Sequence, residues 1–251
     1  MVNPMKYVTL MVAVCAMLMW SCSPRVTTTS QPDSIERGLV AHFPFDGNTK
    51  NIASGGVSCK EHGYIKYEND EVALFNGENN FLELESNLNL SFPWTFSCMI
   101  YKPKYEVSDN FYDNDRVIYS SDYCRSTKEA MYCGYVVRIY KDQPVIMLGG
   151  GYKSTRKVKS KKNLDSDKWS HLVVVLKDKD NVSIFIDGVE QDVYFDDRDF
   201  TDIELKNAKD RIGFDNDTEQ NKHFEGKLDD VRIYRRALNS NEVAMLFNST
   251  R

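Results

Sequence analysis

The hydrophobic period of this chain switches to a helical one only near its C-terminal end. From Lys227 to Tyr234 residues alternate, with Asp229, Val231 and Ile233 on one face and Leu228, Asp230, Arg232 and Tyr234 on the other. That is the period of a half-buried strand. At Asn239 the spacing becomes helical. Asn239 is an N-cap, Glu242 completes a capping box three residues on, and Val243, Leu246 and Phe247 form an apolar stripe. Before residue 239 there is no long helical period, no heptad pattern and no internal repeat. Short alternating runs separated by Gly, Asn and Asp clusters fill that span, at the spacing of strands in a sandwich. The chain is therefore read as all-β, closed by one short helix.

Asp229 shares its face with Val231 and Ile233, the face that a half-buried strand turns inward. An inward carboxylate is costly unless it is paired, hydrogen-bonded or bound to a metal. Two readings stand: a rim position bonded to backbone N–H groups, or a calcium ligand.

The other runs follow in order. Gly38 to Phe45 places Leu39, Ala41, Phe43 and Phe45 together, and Pro44 marks an edge or a strand end. Glu71 to Leu84 reads as strand, turn at Asn76-Gly77, strand. Trp94 to Tyr101 alternates, Arg116 to Ser120 is a short strand, and Gly134 to Lys141 with Pro144 to Leu148 form a hairpin. Trp169 to Leu176 and Val182 to Ile186 form a strand pair before Asp187-Gly188. Arg211 to Phe214 leads into the closing strand. His171 reads as a surface residue of its strand. Lys153 to Lys162 carries six basic residues and reads as a solvated edge strand whose lysines discourage further pairing, while Asp196 to Asp202 reads as a solvated acidic loop.

Nine of the 14 tyrosines lie between Tyr101 and Tyr152, where the alternation breaks down. Tyr105, Phe111, Tyr112 and Tyr123 are candidates for a stacking platform, since aromatic rings present flat apolar faces beside polar neighbours. The alternative is that they pack a long excursion onto the sandwich.

At the N-terminus, Lys6 precedes an apolar run from Tyr7 to Trp20 that ends at Ser21-Cys22. Residues 1–21 read as a lipoprotein-type signal peptide, too short for a comfortable membrane span. Cys22 then becomes the acylated N-terminus, residues 22–37 a polar tether and residues 38–251 the folded domain. Buried acyl methylenes contribute about 0.8 kcal/mol each, so a lipid on Cys22 holds the chain at a membrane. The compartment is a bacterial cell envelope, with the outer membrane as the preferred side. Export also permits disulfides, and Cys124 and Cys133 flank a short loop that a bridge would close for roughly 2–3 kcal/mol. Acidic residues number 37 against 32 basic, a net charge of −5, which excludes a general nucleic-acid binder.

The stretches GLVAHFPFDGN, VALFNGENNFLEL, WTFSCMIY, KWSHLVVVLKDKDNVSIFIDG, RIGF and GKLDDVRIYRRALNSNEVAML occur in that order. Together they resemble the bacterial laminin-G-like domain of the concanavalin A-like lectin/glucanase superfamily, over about Gly38 to Phe247. The resemblance implies a two-sheet antiparallel jelly-roll sandwich with a concave face where relatives bind glycans. It implies that the first and last strands are neighbours, which brings Asp46 and Asn48 towards Asp229. It also implies a structural calcium held by Asp46 and Asp229, with Asn48 contributing an oxygen; the alternative is that Asp46 and Asn48 cap a turn. The function so implied is a non-catalytic module for a polysaccharide or glycan. The alternatives are a glycoside hydrolase or lyase, and a structural or adhesin-like domain that binds a surface protein. Glucanases of the superfamily carry a Glu-x-Asp-x-x-Glu strand, which neither IELKNAKD nor EQDVYFDD matches.

Overall fold

The alternating runs build two eight-stranded antiparallel sheets. The computed structural model describes residues 33–106, 108, 114–125, 131–206, 208–215 and 222–250, with backbone alone at 33, 34 and 122–125. The signal segment, Cys22 and the tether as far as residue 32 lie outside the described residues. The first sheet contains β1 (Leu39–Phe43), β3 (Lys66–Glu68), β4 (Val72–Asn76), β6 (Trp94–Lys102), β11 (Lys168–Leu176), β12 (Val182–Ile186), β13 (Val189–Gln191) and β16 (Glu225–Tyr234). Its order is β13-β12-β11-β6-β16-β4-β3, with β1 also on β16. The second sheet contains β2 (Cys59–His62), β5 (Phe81–Leu84), β7 (Asp115–Arg125), β8 (Met131–Tyr140), β9 (Gln143–Tyr152), β10 (Thr155–Ser160), β14 (Val193–Arg198) and β15 (Arg211–Ile212). Its order is β14-β10-β9-β8-β7-β15-β5-β2. This is the expected all-β jelly-roll sandwich.

The core lies between the sheets. Phe43, Phe96, Cys98, Ile100, Leu172 and Val174 from the first sheet belong to one apolar cluster with Leu82, Tyr119, Tyr135, Val137, Ile146 and Leu148 from the second. Each such fully buried aliphatic or aromatic side chain contributes about 1.5–3 kcal/mol. The outer face of the first sheet is apolar too. Val173, Val175, Phe185 and Tyr234 meet Leu238, Val243 and Leu246 there, so helix α2 (Ser240–Ser249) packs on the outside of that sheet. The expected capping box is present: Asn239 Oδ1 accepts from Glu242 N at 3.0 Å, and Glu242 Oε2 accepts from Asn239 N at 2.9 Å. A four-residue helix, α1 (Asp33–Glu36), brings Ile35 against the same cluster, so the structured body begins inside the stretch read as tether.

The two strands expected around Asn76-Gly77 form as β4 and β5, and the chain crosses between sheets there. Three details depart from the reading of the sequence. The basic strand β10 is no edge: β14, which carries much of the acidic run, pairs with it and neutralises it. Lys159 reaches Asp196 at 2.5 Å and Arg156 reaches Asp197 at 2.7 Å. His171 is buried rather than on the surface. The backbone register speaks against the Cys124–Cys133 bridge, the side chain of Cys124 lying outside the described residues. The register sets Cys124 opposite Tyr132 and Cys133 opposite Tyr123, one position out of step on a pleated pair, whereas a bridge needs Cβ atoms about 3.5–4.5 Å apart.

Replacing Asn239 with Ala removes the cap of α2 and frees one face of the first sheet's outer cluster. The expected loss is about 1 kcal/mol, read as a lower urea midpoint at unchanged slope.

Candidate functional site

The site is built where the two ends of the folded chain meet. β1 pairs antiparallel with β16, with Ala41 opposite Ile233, His42 opposite Arg232 and Phe43 opposite Val231. On its other side β16 pairs with β6, and the register slips there: Asp229 opposes Met99, but Arg232 opposes Ser97. Three steps along β16 therefore match two along β6, which is a β-bulge, and Asp230 takes the positive φ of 47° that accommodates it. The bulge corrects the alternation read from the sequence. Leu228, Val231 and Ile233 all reach the core, and Asp229 is released from their face.

The two neighbouring carboxylates then meet different surroundings. Asp230 Oδ1 lies 2.7 Å from His42 Nε2 and accepts from Arg232 Nε at 2.9 Å. Burial works against its charge, but the His42 hydrogen bond and Arg232 outweigh that and hold it below the usual carboxylate range. Asp229 has no such counterpart. Its Oδ1 accepts the Asp230 N–H at 2.7 Å, and no cationic side chain pairs with it among the described residues. Burial first, then the charges of Asp230, Asp46 and Glu71, push it up to about 6.

Asp46 follows β1 in an exposed turn, close enough for its charge to act on Asp229. The β1–β16 pairing thus carries Asp46 into electrostatic range of Asp229. Asn48 closes that turn: its Nδ2 donates to the Asp46 carbonyl at 2.6 Å and its Oδ1 accepts from Lys50 N at 2.9 Å. Among the described residues no three His, Cys, Asp or Glu side chains gather into a ready-made metal cage. Were calcium to bind here, Asp46 and Asp229 are the carboxylates that would hold it, with backbone oxygens and water completing six or more ligands.

Asp229 also lines a groove of about 510 Å³ on the outer face of the first sheet, with Met99, Lys168, Trp169, Asp187 and Phe247 among its other walls. The alternation of β11 explains this: Leu172, Val174 and Leu176 go to the core, leaving Trp169 and His171 outward. His171 lies beneath α2, its ring stacked on Phe247 at 5.9 Å and its Nε2 2.9 Å from Ser97 Oγ. Burial lowers its pKa to about 4, so it is neutral at physiological pH. Asp187 sits in the turn before Gly188 at a φ of 53°, where its Oδ1 accepts from His171 N at 2.9 Å.

Trp169, Lys168 and Asp187 escaped the reading of the sequence. The outward position of Trp169 in an alternating run and the Asp-Gly turn were the signals available. Of the proposed stacking residues, Phe111, Tyr112 and the side chain of Tyr123 lie outside the described residues, as does the side chain of Cys124. Tyr105 is a strap. Its hydroxyl donates to the Glu225 carbonyl, and its ring carries Arg116 Cζ at 4.8 Å and Lys102 Nζ at 5.2 Å. Burial pushes its hydroxyl pKa up.

The sequence profile of a laminin-G-type family of the concanavalin A-like lectin/glucanases superfamily matches residues 76–244. No curated protein matches the chain. Among solved structures, the binding domain of Paraclostridial Mosquitocidal Protein 1 is similar at 18% identity and a TM-score of 0.61, covering 86% of this chain and 53% of that one. The binding domain of botulinum neurotoxin DC, in complex with SialylT, is similar at 14% identity and 0.63, covering 86% and 52%. Botulinum neurotoxin type C, whose cell entry depends on interaction with two ganglioside molecules, is similar at 13% identity and 0.64, covering 88% and 53%. The chain spans about half the length of each, and at these identities the likeness is one of fold.

Asp229 makes stability pH-dependent with a defined sign. Its folded pKa, about 6, lies above its ordinary value of 3.8, so the folded state holds more protons across that interval. The contribution is fully present below about 4 and is lost as pH rises through about 6. In a chelator, Asp229→Asn removes this slope and raises stability at neutral pH by about 1–2 kcal/mol, the full shift being discounted for partial exposure. Urea midpoints at mildly acidic and neutral pH measure both effects.

Proposed function

Because the chain belongs to the laminin-G-type family of the concanavalin A-like lectin/glucanases superfamily, we propose that it is a non-catalytic carbohydrate-binding module, held on a bacterial envelope membrane by a lipid at Cys22. The observation that carries the reading is the outer groove, where Trp169 stands with Asp187, Asp229 and Lys168 in one cavity. An indole offers a face to the C–H side of a sugar ring, carboxylates accept from hydroxyls, and an ammonium donates to ring and hydroxyl oxygens. The toxin binding domains of like fold support it, since two of them are described with SialylT and with gangliosides.

Calcium belongs to the same proposal. Asp46 and Asp229 would hold it, and its charge would offset the uncompensated corner and tie the turn after β1 to the bulge of β16. A second reading, a glycoside hydrolase, is favoured by one observation: two carboxyls, Asp187 and Asp229, line the same groove, and Asp229 is pushed up to about 6, in the range of a general acid. Calcium separates the two. An acid that gives up protons in catalysis cannot also be held ionised by a cation.

A glycan array with calcium, repeated with a chelator, is the direct test. The proposal expects binding to a defined set of saccharides, abolished by Trp169→Ala in a protein that still unfolds cooperatively. An array silent under both conditions contradicts it. Calcium is expected to raise the melting temperature of the native chain but not of Asp229→Asn. Turnover of a bound oligosaccharide, lost with Asp187→Asn, would establish the hydrolase instead. For the anchor, Cys22→Ser is expected to move the protein from the membrane fraction to the soluble fraction, and unchanged partitioning contradicts a lipid at that residue.

A further inference from the structure

The groove has a sign as well as a shape. Its two carboxylates, Asp187 and Asp229, only accept hydrogen bonds when ionised. Among the described residues its one cationic wall is Lys168, which is tied to Asp165 at 3.1 Å, so its charge is partly spent outside the groove. Asp46 and Glu71 add negative potential at the Asp229 end, whereas Asp230 is already matched by Arg232 and His42. Asp187 commits Oδ1 to the His171 N–H, and its Oδ2 has no partner among the described residues. His171 beneath it is buried and neutral, and so supplies no compensating charge. Trp169 adds an indole, whose face attracts cations.

We propose that this groove selects saccharides bearing a protonated amine, the unacetylated hexosamine class, over neutral and acidic sugars. The inference rests on the carbohydrate reading of the groove. An ammonium on the sugar ring meets the idle Asp187 oxygen as a charge-assisted hydrogen bond, while the apolar face of the ring lies along Trp169. An acetylated amine keeps the stacking and loses the charge. A sialic acid carboxylate would be desolvated against carboxylates of like sign, which is costly. Calcium between Asp46 and Asp229 would cancel that end of the groove and leave the second Asp187 oxygen available to the ligand, so the contact that carries the preference remains. The ligand class therefore differs from the sialylated and ganglioside glycans described for the toxin domains of the same fold.

Isothermal titration of the calcium-saturated protein at mildly acidic pH, with glucosamine oligomers, N-acetylglucosamine oligomers of equal length and sialyllactose, tests this directly. The expected result is binding of the glucosamine oligomer about tenfold tighter than its acetylated counterpart, with sialyllactose weakest. High salt should shrink the advantage. Asp187→Asn should level the first two ligands; asparagine tolerates the positive φ of that turn and keeps an oxygen for the His171 N–H. Acetylated or sialylated sugars bound as tightly as the amine overturn the inference while leaving a carbohydrate-binding groove in place. So does an amine preference unchanged in Asp187→Asn. If no saccharide of any class binds, the carbohydrate reading itself falls. The comparison of ligands on the native chain decides the matter even if the variant does not fold.

Discussion

The pairing of β1 with β16 is the constraint on which the rest depends. It joins residues far apart in sequence, as the bond between His42 and Asp230 across 188 positions shows. β16 lies against β1, β4 and β6, so it holds the middle of the first sheet together. Closing so long a loop carries an entropic cost that only many simultaneous contacts repay, which ties the sheet's formation to the arrival of the chain's last strand. The same strand leads into α2, whose packing covers part of the outer face and leaves the groove beside it.

Where β16 changes register, chemistry appears. An unbroken strand would have carried Asp229 to the same side as Val231, into an apolar interior that gives a carboxylate no partner. One extra residue resolves that conflict. It lets Leu228 and Val231 both face the core, places Asp230 beside His42 and Arg232, and leaves Asp229 uncompensated at the end of the groove. The bulge is thus the step by which an otherwise ordinary sheet acquires a charged corner.

Most of the framework was legible because period and capping are local. The runs at Trp94, Gly134 and Trp169 became strands, and Asn239 with Glu242 became a capped helix. What was not legible depends on partners distant in sequence. The basic stretch of β10 looks solvated until β14 is laid beside it, and only then do Lys159 and Asp196 neutralise one another. Asn76-Gly77 is turn chemistry in either case, but sequence does not say that the chain crosses between sheets there. His171 alternates as an outward residue should, and only the packing of α2 buries it. The pairing of the first and last strands was legible through family resemblance, whereas the groove with Trp169 and Asp187 was not. Its walls come from strands and a helix that meet only in the folded state.

The central claim is that the working surface of this protein is the outer face of the first sheet, beside the bulge. Chemical-shift mapping by NMR, with a saccharide that binds, tests it most directly. The account predicts that perturbations cluster at the Trp169 indole N–H, the Met99 methyl and the amides of Asp187 and Thr250, residues that share one cavity. Perturbations confined to the second sheet, on β8 to β10, would contradict it.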